Sequence, residues 1–268
     1  MSRKSGSTPR HRSGIFTGEK MAKKPYKILA IGDVVGPAAA EALCRRLQSL
    51  RGELGALLVV VNGENACAGN GLDPATARML FGAGTDVITS GNHIWHKRDI
   101  KQFLEDCPTL IRPVNYPSLC PGHGSVIVER GGKRVLVINA LGTVYMEALD
   151  SPFDAVDRVL EREEGKYDYA VLDIHAEATS EKLAIANYFD GRINVILGTH
   201  THVQTADEQI LPGGSGYITD LGMTGPTSSV LGIRTDIIIE RFRTRMPVRF
   251  EIADGPAELQ GALFTLGP

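Results

Sequence analysis

The sequence predicts an α/β fold, two packed sheets flanked by helices, and three observations predict it. Beta-branched apolar runs alternate with helix-period segments from Lys27 through the first half of the chain, the pattern of repeated βαβ units and a mainly parallel sheet. Polar residues that like to hold metal ions follow those runs again and again: Asp33 after KILAIG, Glu64 and Asn65 after LLVVVNG, Asn92 and His93 after DVITSG, His175 after YAVLDI, and His200 with His202 after INVILGT. The ligand crevice of an open α/β sheet lies beyond the carboxyl ends of its strands, so these residues can converge. Finally, VRFEIADG and ELQGALFTL alternate like an antiparallel hairpin that would close a sheet edge.

In chain order, residues 1–26 are basic, rich in Ser and Gly, and lack the apolar run of a signal peptide. They are expected to form a disordered extension ahead of a single domain over 27–268. Met21 reads as an alternative start, and an RNA-touching basic arm is the functional alternative for this stretch. The strand KILAIGD precedes a helix in PAAAEALCRRLQSLRG, where Ala40, Leu43, Leu47 and Leu50 share a face and Gly52 can end it. After the strand LLVVVNGEN, Asp73 and Pro74 suit the cap and first position of a helix through ARMLFGAG. The strand DVITSGNH and a short helix in KRDIKQFLED follow. Gly131 and Gly132 split SVIVER from KRVLVINAL as a hairpin. A helix over Phe153–Glu164, the strands YAVLDIHA, INVILGTH and GSGYITDLG, and a helix in LGIRTDIIIERFRTR complete the order.

With 268 residues, 43% of them hydrophobic, the chain can bury a large core, and its net charge of −2 creates no field that would gather nucleic acid nonspecifically. Cys44, Cys67, Cys107 and Cys120 show no CxxC spacing, which suits reduced thiols in a cytoplasmic protein. No run approaches the roughly 20 apolar residues that cross a bilayer. GGSGY around Ser215 is not a nucleophile elbow, and no glycine-rich phosphate loop follows a strand, so a serine hydrolase and a nucleotide switch are disfavoured.

Carboxylate, amide and imidazole groups in this number exceed one tetrahedral zinc site and suit two divalent ions bridged by a carboxylate and a water. Asp33 alone would read as a turn residue or helix cap. Glu64, at the rim of an apolar strand, is costly unless paired. Asn92 offers a neutral amide oxygen, and His93 is placed to give a proton to a leaving oxygen. Gly91 lets the backbone turn sharply beside them. If the segment after INVILGT is extended, His200 and His202 point the same way. Thr179 or Ser180 can cap the helix after His175. His96 reads as an exposed helix-start residue, and Asp173 and Glu177, with orienting or capping roles equally open, stay outside the set.

The ordered motifs IGDVVG, NGEN, GNHIW, HAEATSEK, GTHTHVQTAD, ITDLGMTGP and MPVRF resemble the calcineurin-like metallophosphoesterases, and more narrowly their bacterial YmdB-type branch, from about Lys27 to the C-terminus. The resemblance implies a four-layer αββα sandwich, a dinuclear metal centre and hydrolysis of phosphodiesters, with 2′,3′-cyclic nucleotides as the substrate class. It assigns Asp33, Asn65 and His202 to one ion and Asn92, His175 and His200 to the other, with Glu64 bridging and His93 as proton donor. The wider superfamily has a histidine where Val35 stands and usually an aspartate where Glu64 stands. These departures leave open which divalent or mixed-valence pair binds: iron, manganese or zinc. The mechanism expected is in-line attack on phosphorus by a metal-bridging water, with His93 protonating the departing oxygen. A metal-binding regulatory protein with incidental activity and a nuclease or phosphomonoesterase are the alternatives. The expected partner is a small cyclic nucleotide, with an origin in RNA open, for a homo-oligomer that touches no membrane.

Overall fold

The structure, a computed structural model, describes residues 24–267, so residues 1–23 of the basic extension lie outside it. The first strand begins one residue earlier than the sequence suggests. Tyr26 opens strand β1 (Tyr26–Ile31), is buried, and pairs with Leu266.

A short β2 (Asp33–Val34) leads into helix α1 (Pro37–Leu54), which buries Ala39, Ala40, Leu43 and Leu47. The helix runs through Gly52 and stops at Gly55, whose φ of 67° supplies the left-handed cap and whose N–H reaches the carbonyls of Arg51 and Gly52. Strand β3 (Leu58–Asn62) is followed by α2 (Pro74–Gly82), capped by Asp73, whose side chain accepts from the Thr76 N–H at 2.8 Å. Next come β4 (Val87–Thr89), a single 3-10 turn at Ile94–His96, and α3 (Ile100–Asp106). Strands β5 (Ser125–Arg130) and β6 (Lys133–Leu141) form the expected hairpin, with φ of 57° at Gly131 and 72° at Gly132. Two successive positive φ values match the twist of the strands they join.

Helix α4 (Pro152–Arg162), strand β7 (Tyr169–His175), helix α5 (Thr179–Phe189) and strand β8 (Val195–Thr199) continue the alternation. The cap position of α5 is Ala178, and neither Thr179 nor Ser180 caps it through its side chain. Glu181, in its first turn, instead reaches out to the N–H groups of Thr143 and Val144. The chain ends with β9 (Gln209–Ile210), β10 (Gly216–Ile218), β11 (Met223–Pro226), α6 (Thr235–Thr244), β12 (Ala257–Glu258) and β13 (Gly261–Leu266).

One sheet has the order β13-β1-β3-β4 and the second β5-β6-β7-β8-β10-β9, with β12-β11-β2 as a small third sheet. Alternation along the strands sorts the core into three slabs. Ile28, Val60 and Val87 of the first sheet meet Val137, Val171 and Val195 of the second. Their neighbours Leu29, Val61 and Ile88 face outward onto Leu43, Leu47 and Leu80 of the helices. On the other side Leu136, Leu172 and Ile196 cover Val156, Ile185 and Phe189. The result is the four-layer αββα sandwich that the resemblance implies. Burying each such side chain stabilises the fold by about 1.5–3 kcal/mol.

The tail departs from the expected hairpin. Strand β13 does close the sheet edge, antiparallel to β1. Residues 248–255 are not its partner: Ile252 makes one isolated bridge with Ile233, and β12 pairs with β11. Gly255, at φ 117°, followed by Pro256, breaks the alternation. The loop before α6 takes over the backbone groups of this segment, with Arg234 N–H donating to Glu251 O at 3.0 Å and Ala253 N–H to Gly232 O at 2.9 Å.

Candidate metal centre

The strand ends bring the sequence-predicted residues into one place. Asp33 opens β2, Glu64 and Asn65 follow β3, Asn92 and His93 follow β4, His175 ends β7, and His200 with His202 follow β8. Glu64 is the hub: its Oε1 lies 3.1 Å from His175 Nε2, His93 Nδ1 and Asn65 Nδ2, and its Oε2 accepts from the His93 N–H at 2.9 Å. His175 Nε2 is also 3.0 Å from Asn92 Oδ1 and 3.1 Å from His200 Nδ1. Asn65 spans the remaining side, with Nδ2 3.3 Å from His202 Nε2 and Oδ1 2.8 Å from His93 Nδ1. One donor atom from each of Glu64, His175 and His200 lies within 4.8 Å of the other two.

Asp33 makes the strongest case that this cluster fits a cation. It is fully buried, and its Oδ2 accepts from the His200 N–H at 3.1 Å. Its Oδ1 has no hydrogen-bond partner among the described residues, with His202 Nε2 at 3.7 Å and His175 Nδ1 at 4.0 Å. A buried carboxylate oxygen left without a donor costs several kcal/mol or is neutralised by a positive charge. Burial pushes the Asp33 carboxyl up, more than the neighbouring histidines pull it down. Glu64 is equally buried, yet the His175 and His93 rings hold it well below the usual carboxylate range. For His200, burial first and the charge of His175 second push the imidazole down to about 3, which keeps it neutral and able to ligate. Oxygen and imidazole donors in this mixture suit borderline divalent ions.

The backbone of the two-histidine loop is not extended as the sequence suggests. Strand β8 stops at Thr199, and φ is 98° at His200 and 63° at His202. Thr201 turns the chain between them, its N–H and hydroxyl both donating to Asp220 Oδ2, at 3.1 and 2.8 Å. Non-glycine residues are held in such conformations only where their surroundings over-determine them. His202 Nδ1 is tied to Leu231 O at 3.1 Å, and His200 Nε2 faces Glu177 Oε2 at 3.1 Å. His96 is exposed, as expected, although its ring packs 4.6 Å from that of His93.

Sequence reasoning set Asp173 aside, and it proves to anchor His175. Its carboxylate accepts from Thr89 Oγ1 at 2.5 Å, Thr199 Oγ1 at 2.7 Å and Asn62 Nδ2 at 3.2 Å. Burial pushes Asp173 up to about 6, so it remains an acceptor at neutral pH. Thr199 has one proton, which goes to Asp173, and its oxygen then faces His175 Nδ1 at 2.9 Å as an acceptor. The imidazole proton is therefore fixed on Nδ1, and Nε2 is turned towards Glu64 and Asn92. The available signal was an aspartate inside an otherwise apolar strand.

Metallophosphoesterases, hydrolases of phosphate esters, are the class that this sandwich and its strand-end centre define. Within that class the chain belongs to the family described as YmdB-like protein, whose family model matches residues 29–268. It is 44% identical over 240 residues to the 2′,3′-cyclic-nucleotide 2′-phosphodiesterase of Bacillus subtilis (strain 168), covering 90% of this chain and 91% of that protein. The crystal structure of a novel phosphatase from Mycoplasma pneumoniae matches with a TM-score of 0.86 at 34% identity, covering 92% of this chain and 89% of the other. That of a hypothetical protein from Thermus thermophilus matches at 0.82 and 39% identity, covering 90% and 99%. Among the described residues no helix is long and apolar enough to cross a membrane.

Proposed function

We propose that this phosphoesterase hydrolyses 2′,3′-cyclic nucleotides at a dinuclear metal centre. Asp33, Asn65 and His202 would hold one ion, Asn92, His175 and His200 the other, and Glu64 would bridge them. The observation that carries this reading is the buried Asp33 Oδ1, without a donor among the described residues, in the same cluster as a Glu64 carboxylate shared among three side chains. Iron, manganese or zinc, when bound, supplies Lewis-acid charge to phosphoryl oxygens and lowers the pKa of water. The substrate class comes from the Bacillus subtilis relative.

His93 is the residue of this chain that would move a proton. Its Nδ1 is engaged by Asn65 Oδ1 and Glu64 Oε1, which leaves Nε2 to carry the proton given to the departing ribose oxygen. About a quarter of its side chain is exposed, and it lines the cavity over the centre, where a substrate can meet it. Asn65 and Glu64 orient the ring, while His175 is fully buried and serves the centre alone.

Metal analysis of the purified protein, combined with rates on cyclic diesters, linear diesters and monoesters, tests the reading. Two ions per chain and the highest kcat/KM on the cyclic diester are expected. His93→Ala should lower turnover about 10²- to 10⁴-fold with its metals retained. A metal-loaded protein inactive on all three substrates, or faster on monoesters, overturns it.

A further inference from the structure

The cavity over the centre has a volume of about 1180 Å³, above the roughly 300–1,000 Å³ usual for small-molecule sites. Glu64, Asn65, His93, His200 and His202 line it on one side, and residues 249–255 line it as well. Among the described residues, Arg249 is the only cationic side chain in that lining other than histidine, and Phe250 is its only aromatic ring other than an imidazole. They are neighbours in the segment that abandons the sheet. The phenyl ring of Phe250, half exposed, presents an apolar face to whatever enters this cavity.

The segment is held in place. Its backbone is tied to the loop before α6, Arg234 pairs with Glu251 at 2.8 Å, and the Ile252 side chain fills the space in front of Gly36. The Arg241 guanidinium lies 5.3 Å from the Phe250 ring centroid and steadies that ring by a cation–π contact. Arg249 makes no ion pair among the described residues, while the pairs nearby join Arg234 to Asp236 and Glu251.

We propose that Phe250 and Arg249 form the nucleobase side of the substrate site. Phe250 stacks the base, and Arg249 draws in the phosphate charge. The proposal rests on the phosphodiesterase reading: a nucleotide whose phosphodiester lies against Glu64 and His93 must direct its base away from the centre. Stacking on one ring tolerates every base, because each has a π-face, so discrimination among bases is weak.

The test compares 2′,3′-cyclic AMP with methyl β-ribofuranoside 2,3-cyclic phosphate, which has the same reacting group and no base. In the metal-loaded wild type, the nucleotide is favoured in kcat/KM on the order of tenfold or more. Phe250→Ala removes that preference by raising KM for the nucleotide. Phe250→Trp keeps the preference, and Arg249→Ala raises KM for both substrates. Calorimetry gives a second readout, in which adenosine binds the wild type and fails to bind Phe250→Ala. Equal KM for 2′,3′-cyclic AMP in the wild type and Phe250→Ala overturns the subsite. If the wild type hydrolyses neither substrate, the phosphodiesterase reading falls, and adenosine binding still decides for or against Phe250.

Discussion

Lys182 Nζ and Asp220 Oδ2 lie 2.7 Å apart, with 1% of either side chain exposed. The same carboxylate accepts from Thr201, between the two loop histidines, and its Oδ1 accepts from the Gly222 N–H at 2.8 Å. Gly222 O in turn receives the Asp33 N–H at 3.1 Å. One buried ion pair therefore supports both the His200–His202 loop and the backbone of Asp33. Lys182→Ala leaves Asp220 buried without its countercharge and should cost about 3–5 kcal/mol in urea unfolding. A loss below about 1 kcal/mol would show that the pair is not needed there.

Thr199 links Asp173 to His175 through one hydroxyl, and only a residue that both donates and accepts can do so. Thr199→Val keeps the shape and removes the link. Metal affinity should fall about 10- to 100-fold, as outer contacts of ligating histidines commonly do. Thr199→Ser should restore it. Nitrogen NMR of the metal-free protein at a pH above 9, where the ring is neutral, reads its tautomer, and an unchanged Nδ1–H signal for His175 in Thr199→Val contradicts the assignment.

In the metal-free protein His175 is pushed up to about 9: burial acts against its charge, and the adjoining Glu64 carboxylate outweighs burial. A histidine raised above its unfolded value of about 6.5 contributes stability that is complete below that pH and lost as pH rises through about 9. Chelator-treated protein should therefore melt at a higher temperature near pH 6 than near pH 9.5, and His175→Gln should flatten the difference. Metal must displace the Nε2 proton, so uptake releases a proton and tightens as pH rises. Uptake without proton release near neutral pH would refute the raised value.

The strand ends and their ligands were legible because each stands directly after an apolar run, so local pattern and site position coincide. Lys182, Asp220, Asn62 and Thr199 were not, since each takes its role from a partner on another element, as Asn62 does from Asp173 across 111 residues. The tail misled for a related reason. Its alternation is real, but Arg249 and Phe250 line the cavity over the centre, where sheet pairing would not leave them. The turn at His200 and His202 depends on Asp220, which no short-range pattern reveals.

Gly91 opens the sharp turn expected of it, its carbonyl accepting from the Ile94 N–H at 3.3 Å, and does so without a positive φ. Its role is spatial: a Cβ there would overlap His175 Cδ2 and Nε2 and Glu64 Oε2. Gly91→Ala must therefore push apart the carboxylate and imidazole that share the centre. Overpacking of this kind costs about 1–3 kcal/mol, which a sandwich with three apolar slabs can absorb. The variant should stay folded by circular dichroism while losing bound metal and activity together. Full metal content with an undiminished rate would mean that the centre yields freely at this point, contrary to the close contact of Glu64 with His175.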